Sequence, residues 1–248
     1  LKKLDGVEVP DFQKTSRPFG DNCGFTIAES SQYTVLMDDA LAIELGADIH
    51  GAATDVFVNA DGVKKSISSP GAGNYITMAK AVAAARAMLG DDAVQNRSFI
   101  QAHGSSTPQN RVTESVIFDS VAKAFDIKQW PVTAIKSYVG HSLAPASADQ
   151  LVASLGVFKH GILPGIKTID KVADDVHQQR LNIALQDRKE KAGAWDVAFL
   201  NSKGFGGNNA TATLLSPQVV EGMLAKRYGE EVMAEYKSKR EKTRAKAK

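Results

Sequence analysis

Phe99-Ile100-Gln101-Ala102-His103-Gly104-Ser105-Ser106-Thr107-Pro108 is a short apolar run that breaks, at a histidine, into a glycine and three hydroxyl residues. Residues 99–101 read as a buried strand, and the stretch 110–125 that follows reads as a helix. The same alternation extends in both directions. Residues 26–37 carry a strand pattern, and Asp38 sits where an N-cap would start a helix running to Leu45. Residues 48–60 read as a second strand, 63–73 as a Ser/Gly/Pro loop, and 74–89, rich in Ala, Met and Lys, as a helix. Downstream, 132–135 form a short strand. A helix starts at Ser142 or Leu143, holds Pro145 in its first turn and runs to Phe158. Residues 161–169 are a loop, and 195–200 and 210–215 are strands flanking a glycine loop. Strands alternating with helices define an α/β architecture with a buried, layered sheet. Residues 1–25 read as a lead-in loop and 217–248 as an amphipathic basic helical tail that frays into solvent, so the domain proper covers 1–216.

The 248 residues are 43% hydrophobic and 23% charged, which suits a folded protein with one substantial core or two smaller ones. The net charge of +2 is unevenly spread: from residue 226 onward nine Lys and Arg face four Glu. A tail of this charge admits binding to RNA or another anionic surface. A solvated helix is the plainer reading, and no nucleic acid partner is expected. Cys23 is the only cysteine, which excludes an internal disulfide and a cysteine-built metal cluster and fits a reducing cytoplasm. No run of roughly eighteen apolar residues occurs, so no membrane span is expected. The chain opens Leu1-Lys2-Lys3-Leu4, with neither an initiator Met nor a signal-peptide core, and the expectation is a piece of a longer protein.

Three polar clusters each follow an apolar run, where an α/β sheet places its ligands. The first is Gln101 to Pro108 with Glu114 beyond it, the second Lys136-Ser137-Tyr138-Val139-Gly140-His141-Ser142, and the third Asn201 to Asn209. A lone histidine is more often structural. His103 and His141, however, both stand at strand-to-loop junctions beside a glycine, and two converging imidazoles can hold an oxyanion or move a proton. His50, His160 and His177 lack such surroundings and are assigned to surface or packing. No histidine spacing suits zinc, and neither a metal nor a cofactor is expected. Lys136 could hold a carboxylate or keep a histidine neutral; spacing alone favours a surface lysine at a strand end. Gly204-Phe205-Gly206-Gly207 lacks the dinucleotide-loop spacing. A movable aromatic with a backbone N–H offered to substrate and an ordinary glycine hairpin fit it equally. Cys23, in an irregular loop with no cationic partner, reads as a bystander rather than a nucleophile.

Together these segments resemble the β-ketoacyl synthases, thiolase-like condensing enzymes. The family motif His-Gly-Thr-x-Thr-Pro with a later Glu is met by His103-Gly104-Ser105-Ser106-Thr107-Pro108 and Glu114; Lys-Ser-x-x-Gly-His by Lys136 through His141; and Asn-Ser-x-Gly-Phe-Gly-Gly-x-Asn by Asn201 through Asn209. Arg17-Pro18-Phe19 and Gly24-Phe25 resemble the opening of the family's second half, and the long tail resembles that of the longer bacterial synthases. The resemblance implies the C-terminal half of a five-layered α-β-α-β-α fold whose nucleophilic cysteine lies in the other half. It implies decarboxylative Claisen condensation of malonyl-carrier with an acyl primer in fatty acid biosynthesis. His103 and His141 would bind the malonyl thioester carbonyl, Lys136 and Glu114 would support them, and Phe205 would gate the site on a loop shared with Gly206. Ser105 and Thr107 would line it. The implied partners are acyl carrier protein, acyl and malonyl thioesters and a second copy in a cytoplasmic homodimer. The alternative is a synthase-like partner subunit without catalysis, against which the retained histidines and lysine argue. Arg111 and Lys203 stand where the family has an acid and an aromatic, and are expected to add positive charge at the entrance for phosphopantetheine, coenzyme A or an acidic carrier.

Overall fold

The structure, a computed structural model, describes residues 2–21, 24–62 and 71–247; Cys23 and residues 63–70 of the expected Ser/Gly/Pro loop lie outside them. The chain opens with a hairpin of β1 (Lys2–Leu4) and β2 (Val7–Val9), followed by a 3-10 turn over Phe12–Lys14, where a lead-in loop was expected. Then come α1 (Asp39–Leu45), β3 (Ala52–Ala60), α2 (Ala72–Leu89), α3 (Asp91–Asn96), β4 (Ser98–Gln101) and α4 (Pro108–Ala124). The second part holds β5 (Trp130–Thr133), α5 (Lys136–Val139), α6 (Ala146–His160), β6 (Ile162–Leu163), β7 (Leu181–Ile183) and β8 (Arg188–Lys189). Strands β9 (Val197–Gly204) and β10 (Asn208–Leu215) and helices α7 (Pro217–Tyr228) and α8 (Glu230–Lys246) complete it.

Six strands form one mixed sheet in the order β3-β10-β9-β4-β5-β7. Strands β9, β4, β5 and β7 run parallel, while β10 and β3 add an antiparallel edge. Every residue of β4 and β5 is buried, because both faces of the sheet centre are covered. Alternate side chains serve different cores. Ile100, Val197 and Phe199 join the cluster under α2 and α4, while Phe99, Ala198 and Leu200 join the cluster under α6, with Phe158 and Trp195. The result is a helix–sheet–helix sandwich, the half of a layered α/β fold that the sequence implied. No helix among the described residues is long and apolar enough to cross a membrane.

Four further expectations need correction. Residues 26–37 form no strand: Ile27 makes one isolated bridge to His141, and Tyr33, Val35 and Leu36 are more than four-fifths exposed. A strand-like composition cannot become a strand without a neighbouring edge to pair with. Helix α6 starts at Ala146, with Pro145 as its N-cap, because Leu143 takes a left-handed backbone (φ 63°) that ends helical geometry there. The 161–169 loop contains β6, which pairs with β8. The tail does not fray. It forms two helices broken at Gly229, with Val220, Leu224, Met233 and Tyr236 buried in the main core. Its arginines are ion-paired to the body and to each other's helix: Arg227 to Asp39, Arg240 to Glu221 and Arg244 to Asp48. Two of these arginines thus tie the tail to acids of the body, and the third ties its two helices together.

Candidate active site

The parallel strands β4, β5 and β9 point their carboxyl ends the same way, and each of the three polar clusters emerges there. His103 lies two residues past β4, Lys136 opens α5 just after β5, and Lys203 and Gly204 close β9. The chain must turn sharply at both histidines. Gly104 has φ +53°, and a Cβ there would lie 2.8 Å from the Cβ of Ala134; Gly140 has φ +72° and faces Thr26 and Ala28 at 3.0 Å. Ser106 (φ 60°) and Leu143 (φ 63°) adopt the same region without being glycine, so backbone strain is stored at this site.

The two imidazoles meet edge to face, ring centroids 5.3 Å apart, and Phe25 lies 4.9 Å from His141. The Nδ1 of His141 accepts the Leu143 N–H at 3.0 Å, and the Nδ1 of His103 faces the Lys203 N–H at 3.4 Å. A neutral ring whose Nδ1 accepts carries its proton on Nε2. Both rings stay neutral. Burial, aided by the Lys136 ammonium, pushes His141 down to about 4 against the pull of Asp149. Burial with Lys136, His141 and Lys203 holds His103 well below the ordinary histidine value. The pair therefore offers two fixed N–H donors.

Behind them lies a hydrogen-bonded support. Glu114, fully buried, accepts the N–H groups of His103 (2.7 Å) and Gly104 (2.9 Å) and the side-chain amides of Asn110 and Asn201 (both 2.8 Å). The Lys136 Nζ donates to the His103 carbonyl at 2.6 Å. With only 2% of its surface exposed, Lys136 is not the surface lysine that its spacing favoured, because α5 folds its side chain back beneath His103. Burial brings its ammonium down to about 8, opposed by Glu114 and Asp149.

A cavity of about 270 Å³ opens over the pair, lined by Ser105, Thr107, Leu143 and Phe205 among others. The Ser105 and Thr107 hydroxyls lie 3.3 Å apart. Phe205, mostly exposed, sits at the tip of the β9–β10 hairpin, next to Gly206 (φ +79°) and Gly207 (φ +87°). The glycine loop is thus a hairpin that also presents an aromatic to the cavity. The expected pair of entrance cations is not displayed as such. Arg111 is engaged with Asp175 through two nitrogens (2.8 and 3.0 Å) and with the Gly20 carbonyl, while Lys203, on the cavity wall, turns its Nζ to Asn209 at 2.9 Å. The sequence reading missed Gln150, a fully buried side chain that donates to the carbonyls of Gln101, Ala102 and Asn201 and carries no motif signal. Asn201, in the third polar cluster, joins the same support by donating to Glu114 and accepting from Asn74.

The carboxyl ends of the central strands thus bring together two neutral imidazoles, a lysine under one of them and a glycine hairpin over both, on the C-terminal half of a thiolase-like fold. Residues 50–170 match the family described as Beta-ketoacyl synthase, C-terminal domain, and carry that domain. Over 247 residues it is 65% identical to the Beta-ketoacyl-[acyl-carrier-protein] synthase FabY of Pseudomonas aeruginosa, with 100% of this chain and 39% of that protein covered. The crystal structure of FabY from P. aeruginosa superposes with a TM-score of 0.93 at 66% identity, over 97% of this chain and 38% of that one. The 3-oxoacyl-[acyl-carrier-protein] synthase 1 of Haemophilus influenzae is 28% identical over 208 residues, covering 82% of this chain and 46% of that protein. The chain spans less than half the length of these relatives.

Proposed function

We propose that this chain supplies the decarboxylating half of the active site of a β-ketoacyl-[acyl-carrier-protein] synthase of fatty acid biosynthesis. The observation that carries the reading is the pair of neutral rings, each with Nδ1 facing a backbone N–H and Nε2–H left for the cavity. A malonyl thioester in that cavity presents its carbonyl oxygen to both donors. Loss of carbon dioxide moves the electrons of the broken bond into an enolate, whose oxygen the two N–H groups stabilise. The enolate carbon then attacks an acyl group held as a thioester on a cysteine in the rest of the longer protein. A carbon–carbon bond forms, the cysteine thiolate leaves, and a chain two carbons longer stays on the carrier. Lys136 discourages protonation of the imidazoles, Glu114 fixes the backbone beneath His103, Phe205 gates the cavity, and the Ser105 and Thr107 hydroxyls line it.

The same proposal includes an acyl carrier protein as partner, a homodimer and a cytoplasmic location, all resting on the family resemblance. The test uses the full-length protein and malonyl-loaded carrier. His103→Ala and His141→Ala should each slow decarboxylation by about 10²- to 10³-fold, the usual effect of losing one oxyanion donor, while acyl loading of the cysteine persists. Unchanged decarboxylation in both variants would refute the reading.

A further inference from the structure

Asp149 has no part in the condensation just proposed, yet its carboxylate collects side chains from two other segments. It stands in the first turn of α6 and accepts from Ser142 Oγ (2.5 Å) and Ser30 Oγ (3.3 Å) on Oδ2 and from Gln32 Nε2 on Oδ1. Ser142 is the residue after His141. Ser30 and Gln32 belong to the extended strap at 24–37, which runs past the site before reaching α1. That strap grips His141 through both of its flanking peptide units: the His141 N–H donates to the Thr26 carbonyl (2.7 Å), and the Ala28 N–H donates to the His141 carbonyl (3.0 Å). It also brings Phe25 against the ring and into the cavity wall.

Within this chain, which spans less than half the length of its relatives, the strap has few other contacts. It belongs to no sheet, and Tyr33 is 97% exposed, with Val35 and Leu36 each 81%. A segment with so few buried contacts opens locally at small cost unless something else ties it down. Asp149 supplies that tie, through a charged acceptor rooted in a helix and receiving three side-chain donors. We infer that Asp149 is a positioning residue for His141, acting by fastening the 24–37 strap and the 141–143 turn to helix α6 so that the His141 ring keeps its aim into the cavity. The inference rests on the reading of His141 as an oxyanion donor. The Asp149 charge adds a second influence, since it opposes the effect of Lys136 on the same imidazole.

The experiment has two arms in the full-length protein. Hydrogen exchange is followed in peptides containing Ala28 and His141, and malonyl-thioester decarboxylation is measured as kcat and KM. Asp149→Ala should speed exchange in both peptides about tenfold, the worth of roughly two ordinary hydrogen bonds. It should lower kcat by a similar factor and leave KM within about twofold. Asp149→Asn, which keeps an acceptor for Ser142, should recover most of both. The Ser30→Ala/Gln32→Ala pair, half-buried on a segment outside every helix and strand, should reproduce the faster exchange with Asp149 intact. Native exchange in Asp149→Ala or in the strap pair overturns the inference, and so does a loosened strap with an unchanged kcat. Wild-type protein that fails to decarboxylate at all would instead refute the proposed function, and the exchange arm would still decide whether Asp149 holds the strap.

Discussion

Because both histidines are buried neutral, the protein should lose stability on mild acidification by a predictable amount. An unfolded histidine takes up its proton near pH 6.5, whereas His141 in the folded protein resists until about 4. Between those values the unfolded chain binds more protons than the folded one, so unfolding becomes easier as pH falls. The contribution is fully present above 6.5, declines through the window and is gone below 4. At pH 5, about 1.5 pH units into the window, the loss from His141 is about 2 kcal/mol, at about 1.36 kcal/mol per unit. His103 is displaced in the same direction and adds to it. Urea unfolding of the full-length protein at pH 7 and pH 5 measures the total. Repeating it on His141→Gln isolates one ring, since that variant should lose about 2 kcal/mol less on the same change. An identical pH dependence in the two proteins, within about 0.5 kcal/mol, would refute the claim that His141 is held neutral. So would an NMR titration of the His141 ring with a midpoint near 6.5.

Glu114→Gln keeps the shape but turns one carboxylate oxygen into a donor facing two other donors, and leaves Lys136 without its buried counter-charge. A cost of about 3–5 kcal/mol is expected for breaking such a buried arrangement, seen as a fall in Tm of about 10 °C; a change under about 2 °C would count against it. The docking of the tail is tested at Gly46, the left-handed cap of α1, where an added Cβ would lie 2.4 Å from the Cβ of Lys239. Gly46→Ala should cost about 2–4 kcal/mol in backbone strain and overpacking and expose the lysines of α8 to trypsin. Gly222→Ala, at an open helical position in α7, should instead be neutral or stabilise by up to about 1 kcal/mol.

What the sequence made readable was whatever depends on one segment alone. Strands β4, β5 and β9 are legible because burial on both faces gathers short apolar runs, Phe99-Ile100, Val132 and Val197 to Leu200, ahead of a polar turn. Asp38 is legible as a cap because its acceptor and its target, the Leu41 N–H, lie three residues apart. Two of the misreadings concern features whose partners are remote. Residues 26–37 have the composition of a strand, but the one backbone they pair with is His141, more than a hundred residues away. The tail reads as solvated because its partners Asp39 and Asp48 lie 188 and 196 residues from Arg227 and Arg244. Gln150 and Asp149 were silent for the same reason: a polar side chain that ties several segments together has no characteristic spacing.

The two histidines share a design that no motif spells out. His103 has its N–H held by the Glu114 carboxylate and its carbonyl held by the Lys136 ammonium, a negative group at the donor end and a positive group at the acceptor end. His141 has its N–H held by the Thr26 carbonyl and its carbonyl held by the Ala28 N–H. Each imidazole thus hangs from a Cα whose two flanking peptide units are both held, with its own Nδ1 facing a neighbouring backbone N–H. An oxyanion donor is effective only when it need not reorganise as charge develops, and a fixed main chain is what fixes the ring. In this light the buried charge of Lys136 is not a cost borne for the histidine's protonation state alone. It completes a backbone clamp, and the strap does for His141, with uncharged groups, what Glu114 and Lys136 do for His103.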